Sequence, residues 1–198
     1  MNKKNPIVVV YCASSPEIDK SYIKDAEKLG ELLARNGVDC ITGAGKLGLM
    51  GVLNDAVLNN GGRVKGIIPE FMVEAGWCHE SLTETIITET IHERKEQMAR
   101  LSDAAIALPG GIGTLEELAE IITWKQLGLF KNPVIILNTN NYYDPLLDFL
   151  ERMIEQKFMN PSYANLLQVA STPEEVINIL KNKSDWNPSF SKNHKKEL

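Results

Sequence analysis

The stretch Leu108-Pro109-Gly110-Gly111-Ile112-Gly113-Thr114-Leu115-Glu116-Glu117 combines the features a phosphate site requires. Its three glycines let the backbone turn sharply and approach a ligand closely. The helix read after it, Thr114–Leu127, offers unpaired N–H groups and the positive end of its dipole to an anion. Glu117 lies within one helical turn of that site, so a carboxylate and an anion share one pocket and a cation must balance them. Arg94 and Lys95, in His92-Glu93-Arg94-Lys95-Glu96-Gln97-Met98, are the candidates. Arg94, Gln97 and Met98 share a helical face by i, i+3, i+4 spacing and can point into the crevice together. Each feature has a plainer alternative. Thr114 and Glu117 also fit a Thr-x-x-Glu capping box, and residues 92–98 also fit a solvated charged helix.

Two further loops carry weaker signals. Ala13-Ser14-Ser15 has hydroxyls suited to a phosphate or sugar, but also reads as an ordinary strand-to-helix turn. Gly43-Ala44-Gly45-Lys46-Leu47-Gly48 formally matches GxGxxG. It follows the second strand and not the first, and Leu47 stands where a phosphate-binding P-loop would place a Ser or Thr. A glycine-lined approach to a nucleotide and close packing of helix on strand both remain open. The histidines His79, His92 and His194 have no metal spacing, and no Gly-x-Ser-x-Gly elbow is present. Metal and acyl-enzyme chemistry are therefore not expected.

These loops need a scaffold that brings them together. Apolar, β-rich runs at Ile7–Cys12, Val38–Thr42, Val64–Ile68, Thr83–Thr90, Ala104–Leu108, Val134–Leu137 and Leu166–Ala170 read as strands. Helical spacing appears over Tyr22–Asn36, from Gly48, from about His92 to Leu101, over Thr114–Leu127 and Tyr142–Gln156, and from a Thr172-Pro173 start to Leu180. Strands that alternate with helices and are themselves uniformly apolar predict an α/β fold: a Rossmann-like, doubly wound parallel sheet with helices on both faces. Ligands in such sheets sit at the carboxyl ends of the strands, where all three loops fall.

The chain has 198 residues, 43% of them hydrophobic, which suits one domain, expected over residues 1–180, followed by a polar, mobile tail over 181–198. With 26 acidic and 21 basic residues the formal net charge is −5, so nucleic acid is not an expected partner. No run approaches the ~20 apolar residues of a membrane span. Cys12, Cys40 and Cys78 form no disulfide framework, which points to the reducing cytoplasm. The helix Thr114–Leu127 carries Leu118, Ile121, Ile122, Trp124 and Leu127, more apolar surface than one sheet face needs, so a homodimer or higher homo-oligomer is expected.

Pro109 to Glu117 resembles the PGGxGTxxE motif of the Lonely Guy family, the cytokinin riboside 5′-monophosphate phosphoribohydrolases, formerly labelled lysine decarboxylase-like. Gly48-Leu49-Met50-Gly51, Gly66–Pro69, His92-Glu93-Arg94-Lys95, Ser102–Leu108, Ile122-Thr123-Trp124 and Tyr142-Tyr143-Asp144-Pro145-Leu146 are similar to the family at matching spacing. The likeness covers roughly residues 6 to 180. It implies a cofactor-free hydrolase that splits the N-glycosidic bond of adenosine-type 5′-monophosphates at a site completed across a homodimer. It further implies Arg94 and Glu117 as catalytic residues. Lys95, Gly110, Gly111, Ile112, Gly113, Thr114, Leu115, Glu116 and Thr123 are the implied nucleotide contacts. The alternative is a nucleotide-binding or interaction protein on the same fold. Ala13 and Ala44 stand where the family carries glycine, and a methyl group at either position is expected to narrow the pocket.

Overall fold

The computed structural model describes residues 5–182. Seven strands form one all-parallel sheet: β1 (Ile7–Tyr11), β2 (Asp39–Thr42), β3 (Val64–Pro69), β4 (Glu84–Thr88), β5 (Ala104–Ala107), β6 (Val134–Leu137) and β7 (Gln168–Ala170). Their order is β4-β3-β2-β1-β5-β6-β7. The chain therefore winds outward from β1 in one direction and then in the other. The crevice between β1 and β5 is the switch point at which such sheets bind ligands. Central strand β1 pairs on both edges, Val8 standing opposite Cys40 and opposite Ala104.

The helices are α1 (Lys20–Arg35), α2 (Gly48–Asn59), α3 (Glu70–Glu74), α4 (Ile91–Arg100), α5 (Ile112–Gln126), α6 (Asp144–Glu155) and α7 (Pro173–Lys181). Alternation along β1 divides the core in two. Val8 and Val10 join Leu29, Leu33, Leu53 and Val176 beneath α1, α2 and α7. Val9 and Tyr11 join Met98, Leu118 and Ile121 beneath α4 and α5. Both faces are covered, as the uniformly apolar strands predict.

The differences from the sequence reading are local. The stretch after β3 read as irregular contains α3, a helix of little more than one turn. Helix α5 begins at Ile112, two residues before the predicted start, because glycine and isoleucine can enter a first turn without a side-chain cap. Helix α7 runs through Lys181, and the tail expected beyond it lies outside the described residues from 183 onward. Among the described residues no helix is long and apolar enough to cross a membrane.

Candidate active site

Arg94 and Glu117 meet at the carboxyl ends of the central strands. Arg94 Nη1 lies 3.2 Å from Glu117 Oε1, and both side chains are about nine-tenths buried. Three elements hold the guanidinium in place. Arg94 Nε donates to the Ile67 carbonyl of β3 at 3.0 Å, Glu117 reaches it from α5, and Gly43 supplies room from the loop after β2. A Cβ on residue 43 would stand 2.0 Å from Arg94 Nη2. A glycine of the GxGxxG-like loop thus makes room for a guanidinium.

Glu117 is not a cap. Gly111 occupies the N-cap position of α5 and no side chain caps that end. The capping-box alternative for Thr114 and Glu117 is therefore excluded. Threonine N-caps with a Glu three residues on stand elsewhere, where Thr90 accepts from the Glu93 N–H at 3.0 Å and Thr172 from the Glu175 N–H at 3.3 Å. Burial pushes the Glu117 carboxyl up to about 7; the Arg94 guanidinium opposes this, and Glu116 adds to it. The uncapped first turn of α5 faces the same space and presents its N–H groups there.

The carbonyls behind this turn are held from the two residues that lead into α6. Tyr142 Oη donates to the Gly110 carbonyl and Tyr143 Oη to that of Leu108, each at 2.7 Å. Gly111 and Gly113 behave differently from Gly110. A Cβ on either would meet nothing within 4 Å, whereas one on Gly110 would stand 2.1 Å from Thr114 Oγ1. Gly110 is therefore a packing position, and Gly111 and Gly113 border open space.

That space is a cavity of about 530 Å³, within the range of small-molecule sites. Of the expected residues, Arg94, Gly111, Ile112, Gly113, Thr114 and Glu117 line it. Lys95, Gly110, Leu115, Glu116 and Thr123 do not line it within one chain. Lys95 points away from the cavity and pairs with Glu116 and with Glu120, the latter at 3.3 Å. Burial works against its charge, but these carboxylates hold its pKa above the ordinary lysine value. Neighbouring residues of α4 thus grip α5 twice, Arg94 on the cavity side and Lys95 on the outer side. Gln97 bonds back to Glu93 at 3.0 Å and Met98 is buried in the core, so only Arg94 of the proposed face reaches the crevice.

The weaker loops contribute more than their sequence signals suggested. Ala13, Ser14, Gly43, Gly45, Lys46 and Leu47 all line the cavity. Ala13 borders the cavity, but Ala44 does not. Ala44 is fully buried with φ +62 and stands where a Cβ on Gly66 would meet it at 2.5 Å. Its methyl group fills core space and leaves the cavity unchanged. Sequence reasoning missed Cys12, Met50, Ile68, Met72 and Trp77 as lining residues. Nothing separates the first three from core residues in a linear pattern, whereas Trp77 in a polar connection was a readable signal. Cys12 is no nucleophile, because burial, followed by the Glu117 charge, raises its thiol pKa well above the ordinary value. Among the described residues no group of three or more His, Cys, Asp or Glu is arranged to hold a metal ion.

Residues 50–180 match the family described as "Possible lysine decarboxylase". The probable cytokinin riboside 5′-monophosphate phosphoribohydrolase LOGL2 of Oryza sativa subsp. japonica is 44% identical over 186 residues, covering 93% of this chain and 75% of the relative. The cytokinin riboside 5′-monophosphate phosphoribohydrolase LOG1 of Arabidopsis thaliana is 39% identical over 185 residues, covering 93% and 85%. Among solved structures, the molybdenum cofactor carrier protein MCP of Chlamydomonas reinhardtii superposes with a TM-score of 0.71 at 22% identity, covering 90% of this chain and 97% of that one. At that identity the likeness concerns the fold alone. With the PGGxGTxxE loop, the buried Arg94–Glu117 pair and relatives near 40% identity along most of its length, the chain belongs to the Lonely Guy family.

Proposed function

We propose that this protein hydrolyses the N-glycosidic bond of cytokinin riboside 5′-monophosphates, releasing the free base and ribose 5-phosphate. The observation that carries the reading is a buried carboxylate–guanidinium pair opening into the same cavity as an uncapped helix N-terminus. The 5′-phosphate sits on the first turn of α5, over Gly111, Ile112, Gly113 and Thr114. That placement brings the ribose against Arg94 and Glu117. As the bond from C1′ to the base nitrogen breaks, its electron pair leaves with the base and positive charge develops on the sugar. The Glu117 carboxylate stabilises that charge from its largely buried position while the oxygen of a water molecule bonds to C1′, and the proton this water gives up balances the one the departing base nitrogen takes up. Arg94 stays protonated and positions the nucleotide and Glu117.

The functional unit in this reading is a homodimer or a higher homo-oligomer in the cytoplasm. Leu115, Glu116 and Thr123 lie on the outer surface of α5 beside exposed Ile112 and Leu127. A second copy packed on this ridge gives those residues access to a shared site. Lys95 acts by holding Glu116 and α5 in place.

Purified protein is expected to release adenine-type base and ribose 5-phosphate from AMP or a prenylated AMP without added metal or cofactor. Chromatography over a panel of nucleoside monophosphates checks this. Nucleotide binding by calorimetry with no turnover on any of them would establish a binding protein instead.

A further inference from the structure

We propose that Tyr142 is a positioning residue for the 5′-phosphate: its hydroxyl fixes the peptide unit joining Gly110 to Gly111 and so aims the Gly111 N–H into the cavity. This inference rests on the function proposed above and adds a residue, outside the cavity lining, that shapes its anion end. A peptide unit is planar and trans, so its carbonyl and its N–H point in opposite directions. Tyr142 Oη donates to the Gly110 carbonyl at 2.7 Å. Gly111 lines the cavity and Tyr142 does not. The N–H of the shared unit therefore faces away from the phenol, and among the described residues no group accepts from it.

Three successive carbonyls of the turn are held from behind. That of Leu108 accepts from Tyr143 Oη at 2.7 Å, that of Pro109 from the Ala13 N–H at 3.2 Å, and that of Gly110 from Tyr142 Oη. The three bonds differ in what they steer. The Leu108 carbonyl shares its peptide unit with the Pro109 nitrogen, which carries no hydrogen, so Tyr143 fixes the chain without directing a donor. The Pro109 carbonyl shares its unit with the N–H of Gly110, which is packed against Thr114. Of the three, the Gly110 bond alone acts on the N–H of a residue that borders the cavity. A hydrogen bond to a carbonyl also polarises its peptide unit, which makes the N–H at the other end a better donor to an anion.

The connection that delivers Tyr142, between β6 and α6, is built to hold it there. Asn140 and Asn141, just before it, have φ of +54 and +59. Asparagine visits the left-handed region as a single residue, so two in succession are kept there by their surroundings. Asn140 Nδ2 donates to Ser21 Oγ at 2.7 Å, and Thr139 Oγ1 donates to the Asp25 carboxylate. Asn138 accepts from the Tyr143 N–H through Oδ1 and donates to Asp144 Oδ1 through Nδ2, each at 2.7 Å. The Tyr142 ring stands edge-on to those of Tyr22 and Tyr143, with centroids 6.0 and 5.1 Å away. Although 44% exposed, Tyr142 commits its hydroxyl to a backbone carbonyl.

The test compares AMP with adenosine, which differ by the phosphate alone. Calorimetry on full-length Glu117→Gln protein, in which the nucleotide persists, is expected to show AMP bound at least about tenfold more tightly. Adding Tyr142→Phe, which keeps the ring and removes the hydroxyl, should weaken AMP about tenfold and adenosine less than about twofold. Tyr143→Phe in the same background should lower the melting temperature and leave the ratio of the two affinities unchanged. With Glu117 intact, Tyr142→Phe should raise KM for AMP and keep kcat within about threefold. A measurement free of any change at Tyr142 is the Gly111 amide proton resonance of the Glu117→Gln protein, which should move downfield with AMP and hold its place with adenosine. No preference for AMP, a Gly111 resonance unmoved by it, or a ratio that Tyr142→Phe leaves unchanged or Tyr143→Phe lowers equally would overturn the proposal and leave the hydrolase reading standing. Binding as described without turnover in the wild type would end the hydrolase reading and leave the role of Tyr142 standing.

Discussion

Glu117 is buried next to Arg94 at 3.2 Å, yet its carboxyl is held at about 7 because desolvation outweighs the guanidinium. Two consequences can be measured. The first concerns stability. The folded state holds the Glu117 proton more tightly than the unfolded chain, whose carboxyl titrates near 4.5. The stability from protonated Glu117 is therefore full below about 4.5 and is lost as pH rises to about 7. Glu117→Gln removes this titration, so its melting temperature relative to wild type should climb across that window and then level off. A constant offset would mean that Glu117 keeps an ordinary pKa. The second concerns turnover. If the ionised carboxylate stabilises the sugar cation, kcat/KM should rise with pH along a limb centred near 7, and Glu117→Gln should lose at least a thousandfold in kcat with little change in AMP affinity. The substrate phosphate titrates near the same range, at about 6. Glu117→Asp separates the two, because it shifts a limb due to the enzyme and leaves the phosphate's own ionisation where it was.

The glycines of the two loops answer differently to an added methyl group, which separates ligand space from packing at the level of elements. Gly113 lies in the first turn of α5 and its added Cβ meets no atom within 4 Å. Gly113→Ala should therefore keep the melting temperature, since alanine is the better helix former by ~0.5–1 kcal/mol, and still weaken nucleotide binding about tenfold or more. Gly48, the first residue of α2, has φ +62, and its added Cβ would stand 2.5 Å from the Ser15 carbonyl oxygen. Gly48→Ala should cost ~2–4 kcal/mol of stability, combining left-handed strain with a backbone clash. Thermal melts and calorimetry on the two variants test the contrast. A stable Gly113→Ala protein that binds AMP normally would move the phosphate away from α5.

At the scale of the whole molecule, α5 covers the sheet with Leu118 and Ile121 and leaves Leu115, Ala119, Thr123 and Leu127 outward at four-residue spacing. Leu129, just past its end, is 68% exposed and Ile112 at its start is 83% exposed. Such a ridge of apolar and small side chains is suited to an isologous contact with the same helix of a second chain. Light scattering across a dilution series should give a species of at least two chains. Leu127→Glu combined with Leu129→Glu, both away from the cavity, should yield single chains with activity reduced at least tenfold. A wild-type protein that is active at the mass of one chain would remove both the contact and its part in the site.

The sequence by itself determined the architecture and the glycine-rich turn that carries Glu117. Uniformly apolar strands alternating with amphipathic helices permit few arrangements other than a covered parallel sheet. A three-glycine turn before a helix, with Glu117 one turn later, is a local pattern that needs no partner to be read. What only the tertiary structure decided depended on which residues meet across elements. The Thr114–Glu117 spacing fits a cap and a pocket equally well, and the start of α5 at Ile112 excluded the cap. Arg94 and Lys95 are adjacent in a charged run, and only the packing of α4 on α5 turned one toward the cavity and the other toward Glu116 and Glu120. The roles of the glycines at 43, 110, 111 and 113 were equally hidden. A missing side chain has no chemistry of its own, and what occupies its place comes from distant parts of the chain. The grouping of Met50, Ile68, Met72 and Trp77 along one cavity was hidden for the same reason, even though Trp77 alone was readable, since these residues come from segments that adjoin only where the strands of the sheet end.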